Sequence, residues 1–164
     1  MSVYKFFDTD VFGKEEYDIS GKHYLMLLMT CFKYSATVSV IISPEYVDDI
    51  QEWEVYRIPI TANVQKAYRH YGNVSKEKPN YIGEYEIRHY LLNDKLQRLI
   101  ISHTDSIFKW ICGWGNNNPN DLVFFRLDGS VFFSSVVHEG ECTLFPTKDE
   151  DISDVLNQGF WEVG

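Results

Sequence analysis

The chain has 164 residues, 45% of them hydrophobic and 16% aromatic, which is enough to form one core in a single domain over residues 1–164. Its 15 basic and 24 acidic residues give a formal net charge of −9, which disfavours nucleic acid as a partner because phosphate backbones are negative. The three cysteines form no CxxC pair, and no apolar run reaches the roughly 20 residues of a membrane span. These features predict a reduced, cytoplasmic chain that does not enter a membrane.

The first half of the chain is predicted to be rich in strands. Residues 24–32 form a nine-residue apolar run, which we interpret as a core strand, and the β-branched residues of 37–42 predict a second strand. Partial alternation predicts a third strand over 53–60. Residues 61–71 follow helical spacing, and residues 81–91 alternate as a further strand.

A long central helix is predicted over residues 94–112. Apolar residues and one histidine recur there at steps of three and four, which is the spacing of an amphipathic helix. Gly113 and Gly115 follow this segment and would end it. The predicted stripe consists of Leu96, Leu99, Ile100, His103, Ile107, Trp110 and Ile111.

The last third of the chain predicts an antiparallel meander. Asp128-Gly129 is a hairpin dipeptide between apolar strands predicted at 121–125 and 131–137. A third strand at 142–145 and a short helix over 149–156 follow. Strands precede and follow the central helix without regular βαβ alternation. The sequence therefore predicts an α+β domain with a mainly antiparallel sheet, with the central helix packed across it and the helices on one side.

Residues with catalytic or metal-binding potential are few. No histidine belongs to an HxxxH or HExxH pair, so no zinc motif is present. His138-Glu139, near Glu141, could serve as a general base or half of a metal site, but we favour a strand-end histidine in a turn. Cys112 at the end of the predicted helix would be a poor nucleophile, because the helix dipole disfavours a thiolate there. We therefore predict that the protein is not an enzyme and uses no metal or cofactor.

Two acidic runs are the candidate partner-binding surfaces. Carboxylates can steer a basic partner by electrostatics, and Tyr or Trp side chains can anchor it. The alternative for the acidic residues is a solvated surface that keeps the protein soluble. The alternative for Trp53 is a position in the hydrophobic core. The first run contains Glu45, Tyr46, Asp48, Asp49, Glu52, Trp53 and Glu54, and the second contains Glu139, Glu141, Asp149, Glu150, Asp151 and Asp154.

The C-terminal part of the chain also carries a family resemblance. A predicted helix ending in aromatics precedes a polar Asn/Pro loop and the run Asn120-Asp121-Leu122-Val123-Phe124-Phe125, and then come the Asp128-Gly129 hairpin, Val131-Phe132-Phe133, His138-Glu139-Gly140 and a short acidic helix. Residues 110–156 thereby resemble the C-terminal half of small bacterial immunity proteins that neutralise polymorphic or contact-dependent toxins, including the broad SUKH-like group.

The resemblance implies a cytoplasmic, non-catalytic protein that binds and occludes a cognate toxin domain, such as a basic nuclease. An adaptor or structural module of a bacterial assembly is the first alternative. A hydrolase or metal enzyme using His138 and Glu139 is the second. The sequence leaves the oligomeric state open.

Overall fold

A computed structural model describes residues 2–6, 19–46, 50–113 and 115–164 of the chain. The strands in these ranges are β1 (Tyr4–Phe6), β2 (Thr37–Ile42), β3 (Arg57–Ile58), β4 (Tyr81–Ile82), β5 (Tyr85–Leu91), β6 (Cys112–Gly113), β7 (Asn116–Asn117), β8 (Asn120–Phe125), β9 (Val131–Val136), β10 (Glu141–Leu144) and β11 (Trp161–Val163). The α-helices are α1 (Gly21–Tyr34), α2 (Ala62–Ala67), α3 (Asp94–His103) and α4 (Ser153–Leu156). Short 3₁₀ helices cover Pro44–Tyr46, Gln51–Tyr56, Arg69–Tyr71, Ile107–Lys109 and Val137–Glu139.

Nine of these strands form one sheet in the order β11-β1-β10-β9-β8-β2-β5-β3, and β4 pairs with β5 outside that path. Each described pairing is antiparallel. Strand β2 lies between β5 and β8, and β8, β9 and β10 form a meander. The predicted α+β class and mainly antiparallel sheet are confirmed.

The sheet is covered on both faces. Successive side chains of a strand point to opposite faces, and those of β2 belong to two different clusters. Val38 and Val40 of β2 belong to the larger core with α1 and α3, whereas Ile41 belongs to a smaller cluster that includes Val64 and Tyr68 from the α2 segment. The prediction that the helices lie on one side is therefore wrong. On this second face, α2 and the 3₁₀ turn that follows it place Tyr68 and Tyr71 at the end of the sheet.

The core strand predicted at residues 24–32 is wrong, because this segment forms most of α1. Its buried residues are Tyr24, Leu27, Leu28, Cys31 and Phe32, and the first four have the i, i+3, i+4, i+7 spacing of one helix face. Its exposed residues include Leu25, Met26 and Met29. The apolar outer face made a helical pattern look like a continuous buried strand.

The long central helix predicted over 94–112 is also wrong, because α3 ends at His103. It begins as expected for a capped helix, with the Asn93 side chain accepting a hydrogen bond from the Leu96 N–H at 2.9 Å. Beyond it, Asp105 accepts from the backbone N–H of Gly21 and Ile107 donates to Ile19, both at 3.0 Å. These bonds to the segment before α1 replace the next helical turns.

Several stripe residues are nevertheless in the core. Leu96 and Ile100 of α3 are buried, and Leu99 is partly buried against the same cluster. Ile107 and Ile111 are buried as well, but they lie in the irregular segment that follows. The core contribution predicted for these residues is confirmed, although the helix is shorter.

The strand predicted over 53–60 is wrong for its first half. Residues Gln51–Tyr56 form a 3₁₀ turn, and only Arg57–Ile58 form a strand. The helix predicted over 61–71 is not continuous: Ala62–Ala67 form α2, and Arg69–Tyr71 form a 3₁₀ turn. The closing helix predicted over 149–156 begins only at Ser153.

The strands predicted at 37–42 and in the C-terminal meander are confirmed, whereas the strand predicted over 81–91 is divided into β4 and β5, which pair with each other. Strand β2 has the predicted bounds, and β8 and β9 pair as a hairpin around Asp128-Gly129. Strand β10 pairs with β9 as the third strand of the meander. Gly129 has φ +88°, a left-handed conformation that glycine adopts without strain.

Candidate functional site

The candidate site is a cleft at one end of the sheet. Antiparallel pairing brings the last residues of β2 and β9 to the same end of the sheet as the first residues of β5, β8 and β10. A cleft of about 460 Å³ opens there. It is lined by Ser43, Glu45, Tyr71, Tyr85, Ile111, Cys112, Asn120 and His138.

Short 3₁₀ turns position the residues on two sides of this cleft. After β2, Ser43 leads into the 3₁₀ turn that carries Glu45, and the Ser43 hydroxyl donates to Glu45 Oε1 at 3.2 Å. On the other side, Thr61 caps α2 by accepting from the Val64 N–H at 3.3 Å. The 3₁₀ turn that follows α2 ends with Tyr71 at the cleft.

A buried carboxylate lies beneath the cleft. The Asp121 side chain is 1% exposed, and Asp121 is the one non-glycine residue with positive φ in the described ranges, at 59°. Its Oδ1 accepts from the Val137 N–H at 2.8 Å, and its Oδ2 accepts a short hydrogen bond from the Tyr71 hydroxyl. Asp tolerates this conformation better than most residues, and such strain persists where surrounding contacts enforce it.

Two tyrosines connect this carboxylate residue to the second face of the sheet. The Tyr68 hydroxyl donates to the Asp121 backbone oxygen at 2.8 Å and lies 2.9 Å from Ser39 Oγ. Burial raises the pKa of Tyr68 well above its usual value. Burial also raises the pKa of Tyr71, and the adjacent Asp121 charge raises it further. Both phenols therefore remain protonated and act as donors.

Aromatic rings form the rim above Asp121. The Tyr71 ring lies 5.5 Å from that of Tyr85 and 5.6 Å from that of His138, measured between centroids. His70 is 4.5 Å from the Tyr71 ring, and its Nε2 is 3.9 Å from Asp121 Oδ2. The rim therefore presents aromatic faces close to a buried carboxylate.

The first acidic run is only partly available as a surface. Glu45 is exposed and lines the cleft, and Glu52 is exposed in a separate groove beside Leu99. Trp53 is 2% exposed, with Tyr90 and Trp110 at 5.5 and 5.8 Å between ring centroids. Its prediction as a partner anchor is wrong, since it fills the core. Asp48, Asp49 and the Tyr46 side chain lie outside the described part of the chain.

The second acidic run is divided by the sheet. Glu139 precedes β10 and Glu141 begins it at the cleft end, whereas Asp149 and Asp151 follow its opposite end. Both Asp149 and Asp151 are exposed. Asp151 accepts from the Ser153 N–H at 3.0 Å and so helps to start α4. The run is therefore two separate surfaces.

Glu150 of the second acidic run is paired with an arginine of the same chain. Its carboxylate takes two hydrogen bonds from Arg126, at 2.8 and 2.6 Å, and its side chain is 12% exposed. Arg126 holds the pKa of Glu150 below its usual value. The pair fastens the hairpin to the segment after β10.

Sequence reasoning missed the residues that build the cleft. Asp121 was interpreted only as the start of a strand, and Tyr71 and Tyr85 only as helix and strand residues. The signal was a polar pair, Asn120-Asp121, directly before four apolar residues. Cys112 is not at a helix end as predicted, since it lies in β6 and lines the cleft.

Within the described residues, no three His, Cys, Asp or Glu side chains are grouped so that they could hold a metal ion. No helix in those ranges is long and apolar enough to cross a membrane. Comparison with known proteins gave no matching family model, no matching curated protein and no matching solved structure.

Proposed function

We propose that this protein is a non-catalytic, cytoplasmic inhibitor of the immunity type, which binds a basic toxin domain and occludes its active surface. The observation that carries the proposal is the sheet-end cleft, where aromatic rings and carboxylates meet on one exposed surface. Aromatic residues supply much of the binding energy at protein interfaces, and complementary charge speeds association. Both elements are present at this end of the sheet.

The distribution of ion pairs supports an acidic binding surface. Arg88 is 4% exposed, and its guanidinium contacts Glu54 and Glu86, while Arg126 is paired with Glu150. These arginines neutralise carboxylates inside the fold and so contribute little to the external field. Exposed carboxylates at the cleft end include those of Glu45, Glu139 and Glu141.

The resemblance of residues 110–156 to immunity proteins, together with the net charge of −9, supports a basic toxin as the partner. A nuclease active site attracts phosphate, and a carboxylate cluster can occupy the same positive surface. Inhibition would then be steric and electrostatic, and it would need no chemistry on the inhibitor.

Growth rescue tests the proposal. The chain is co-expressed with each toxin domain encoded in the flanking genes, and an unrelated toxin with the same activity serves as the control. We expect rescue from one flanking toxin and a stable complex with it in size-exclusion chromatography. The proposal is overturned if no flanking gene encodes such a domain, or if neither rescue nor a complex is found.

The binding face is tested by matched charge removal. The triple variant Glu45→Gln/Glu139→Gln/Glu141→Gln is expected to slow association by about tenfold at about 50 mM salt, and by less at about 300 mM, because ions screen the field. The control variant replaces Asp149, Asp154 and Glu162, which are exposed and outside the cleft, by their amides. Equal slowing by both variants would overturn the assignment of the face.

A hydrolase using His138 and Glu139 is the second candidate. The observation that favours it is the approach of His138 Nε2 to Glu139 Oε1 at 3.7 Å on the cleft rim, an arrangement in which a carboxylate can orient an imidazole base. The variant His138→Gln separates the two functions. Loss of growth rescue with retained toxin affinity would favour the enzyme, whereas rescue that falls only in step with toxin affinity supports the inhibitor.

A further inference from the structure

We propose that the sheet-end cleft is a binding site for a guanidinium group, which an arginine side chain of the basic partner inserts. This inference rests on the proposed function and deepens it, because it names the chemical group that the cleft recognises. Three features of the cleft support it: the aromatic rings of its walls, the Glu45 carboxylate, and a lining that contains no lysine or arginine.

The walls of the cleft suit a planar cation. The Tyr71 and Tyr85 rings are tilted by 55° to each other, and the Tyr71 and His138 rings by 53°, at centroid distances of 5.5 and 5.6 Å. Tyr85 and His138 are exposed at the opening. Aromatic faces carry negative electrostatic potential and attract a cation within about 6 Å of the ring centroid.

One carboxylate, that of Glu45, lines the cleft, and the Ser43 hydroxyl donates to its Oε1. The Asp121 carboxylate lies buried behind Tyr71, and its two oxygens already accept from the Val137 N–H and the Tyr71 hydroxyl. It therefore adds negative charge near the cleft but no direct contact. The eight lining residues include no lysine or arginine. A guanidinium group can stack on an aromatic ring and bind a carboxylate through two N–H groups at once, which an ammonium group cannot do.

The dimensions fit one side chain. The volume of about 460 Å³ lies within the range of roughly 300–1,000 Å³ that is typical of small-ligand sites. Apolar surface from Ile111 and Cys112 also lines the cleft, and the methylene groups of an arginine side chain can pack against it. The cleft therefore offers a contact to each part of that side chain.

A small-molecule titration tests the site without the partner. The probe is N-acetyl-arginine methylamide, and its neutral counterpart is the citrulline compound of nearly the same shape. Aromatic ¹H–¹³C correlation spectra report Tyr71, Tyr85 and His138. We expect saturable shifts of these signals with a dissociation constant on the order of 1–10 mM, with the citrulline compound at least about tenfold weaker because it lacks the charge.

Two variants make the test specific. Glu45→Gln is expected to weaken binding of the arginine compound by about fivefold to tenfold, since a charge-assisted contact is lost, whereas Glu162→Gln is expected to change nothing. Tyr85→Ala should weaken binding through loss of one wall, and circular dichroism would establish that both variants are folded. Equal binding of the citrulline or the lysine compound, or shifts that do not saturate, would overturn the assignment.

Failure of the inference and failure of the proposed function give different results. If the arginine compound does not bind but the toxin does, the inhibitor stands and the guanidinium site is overturned. If the compound binds and no toxin is bound, the site stands and the inhibitor is overturned. If both bind while Tyr85→Ala leaves toxin affinity unchanged, the partner's arginine does not enter the cleft, which overturns that part of the inference.

Discussion

Replacing Asp121 is expected to destabilise the protein strongly, because this residue fastens three segments together. Its carboxylate accepts from the Val137 N–H and the Tyr71 hydroxyl, and its backbone oxygen accepts from Tyr68. Asp121→Ala leaves the first two donors without their acceptor. Each buried donor that loses its partner costs about 1–3 kcal/mol, and alanine in a left-handed conformation costs about 1 kcal/mol more. The sum, about 3–7 kcal/mol, is a large fraction of the roughly 5–15 kcal/mol that stabilises a domain.

Two further variants separate the hydrogen bonds from the backbone strain. Asp121→Asn keeps one acceptor oxygen and tolerates the φ of 59°, so it should cost only about 1–3 kcal/mol. Tyr71→Phe removes one donor and leaves the buried Asp121 Oδ2 without that hydrogen bond, so it should cost about 1–3 kcal/mol. The assay is urea unfolding followed by tryptophan fluorescence and circular dichroism. A loss below about 1 kcal/mol for Asp121→Ala, or a greater loss for Asp121→Asn than for Asp121→Ala, would refute this reasoning.

Three other predictions concern stability. Glu150→Gln should cost about 1–3 kcal/mol at pH 7. Because Arg126 lowers the pKa of Glu150 from its ordinary 4.5, this stabilisation is fully present above 4.5 and is lost as pH falls through the lowered pKa. A series of urea unfolding curves from pH 7 downward should therefore show the difference between variant and parent shrinking below pH 4.5. Trp53→Ala should lower the free energy of unfolding by about 3–5 kcal/mol, because it empties a core position, and a folded variant with unchanged stability would contradict its buried placement. Asn93→Ala should cost about 1 kcal/mol through loss of the bond to the Leu96 N–H, which thermal unfolding measures against the exposed control Lys95→Ala.

The strands with strong local signals were predictable from the sequence. Residues 37–42 are mostly β-branched, and Asp128-Gly129 is a turn dipeptide between two apolar runs. In both cases the preference is decided within a few residues, and the pairing of β8 with β9 follows from the short connection. Long-range contacts had little opportunity to change the outcome.

The helices were harder to predict because tertiary contacts decide them. In α1, apolar residues such as Leu25 and Met29 occupy the exposed face, so the contrast between faces that identifies a helix is weak in the sequence. After His103, the periodic pattern continues, but the backbone at 105–107 bonds to residues 19–21 instead. A sequence pattern cannot reveal a competing partner more than 80 positions away.

The same limit applies to the cleft. Its lining residues come from separate segments, and none of those segments carries a motif for the site. Proximity along the chain is misleading here, because β10 spans roughly 10 Å between Glu141 and Leu144 at about 3.3 Å per residue and so separates the acidic residues that flank it. Pairing in the sheet instead brings Glu45 and His138 to one cleft. The surface that could recognise a partner is therefore one end of the sheet. Variants that remove charge should group the carboxylates that share an end of the sheet, and not those that are adjacent in the sequence.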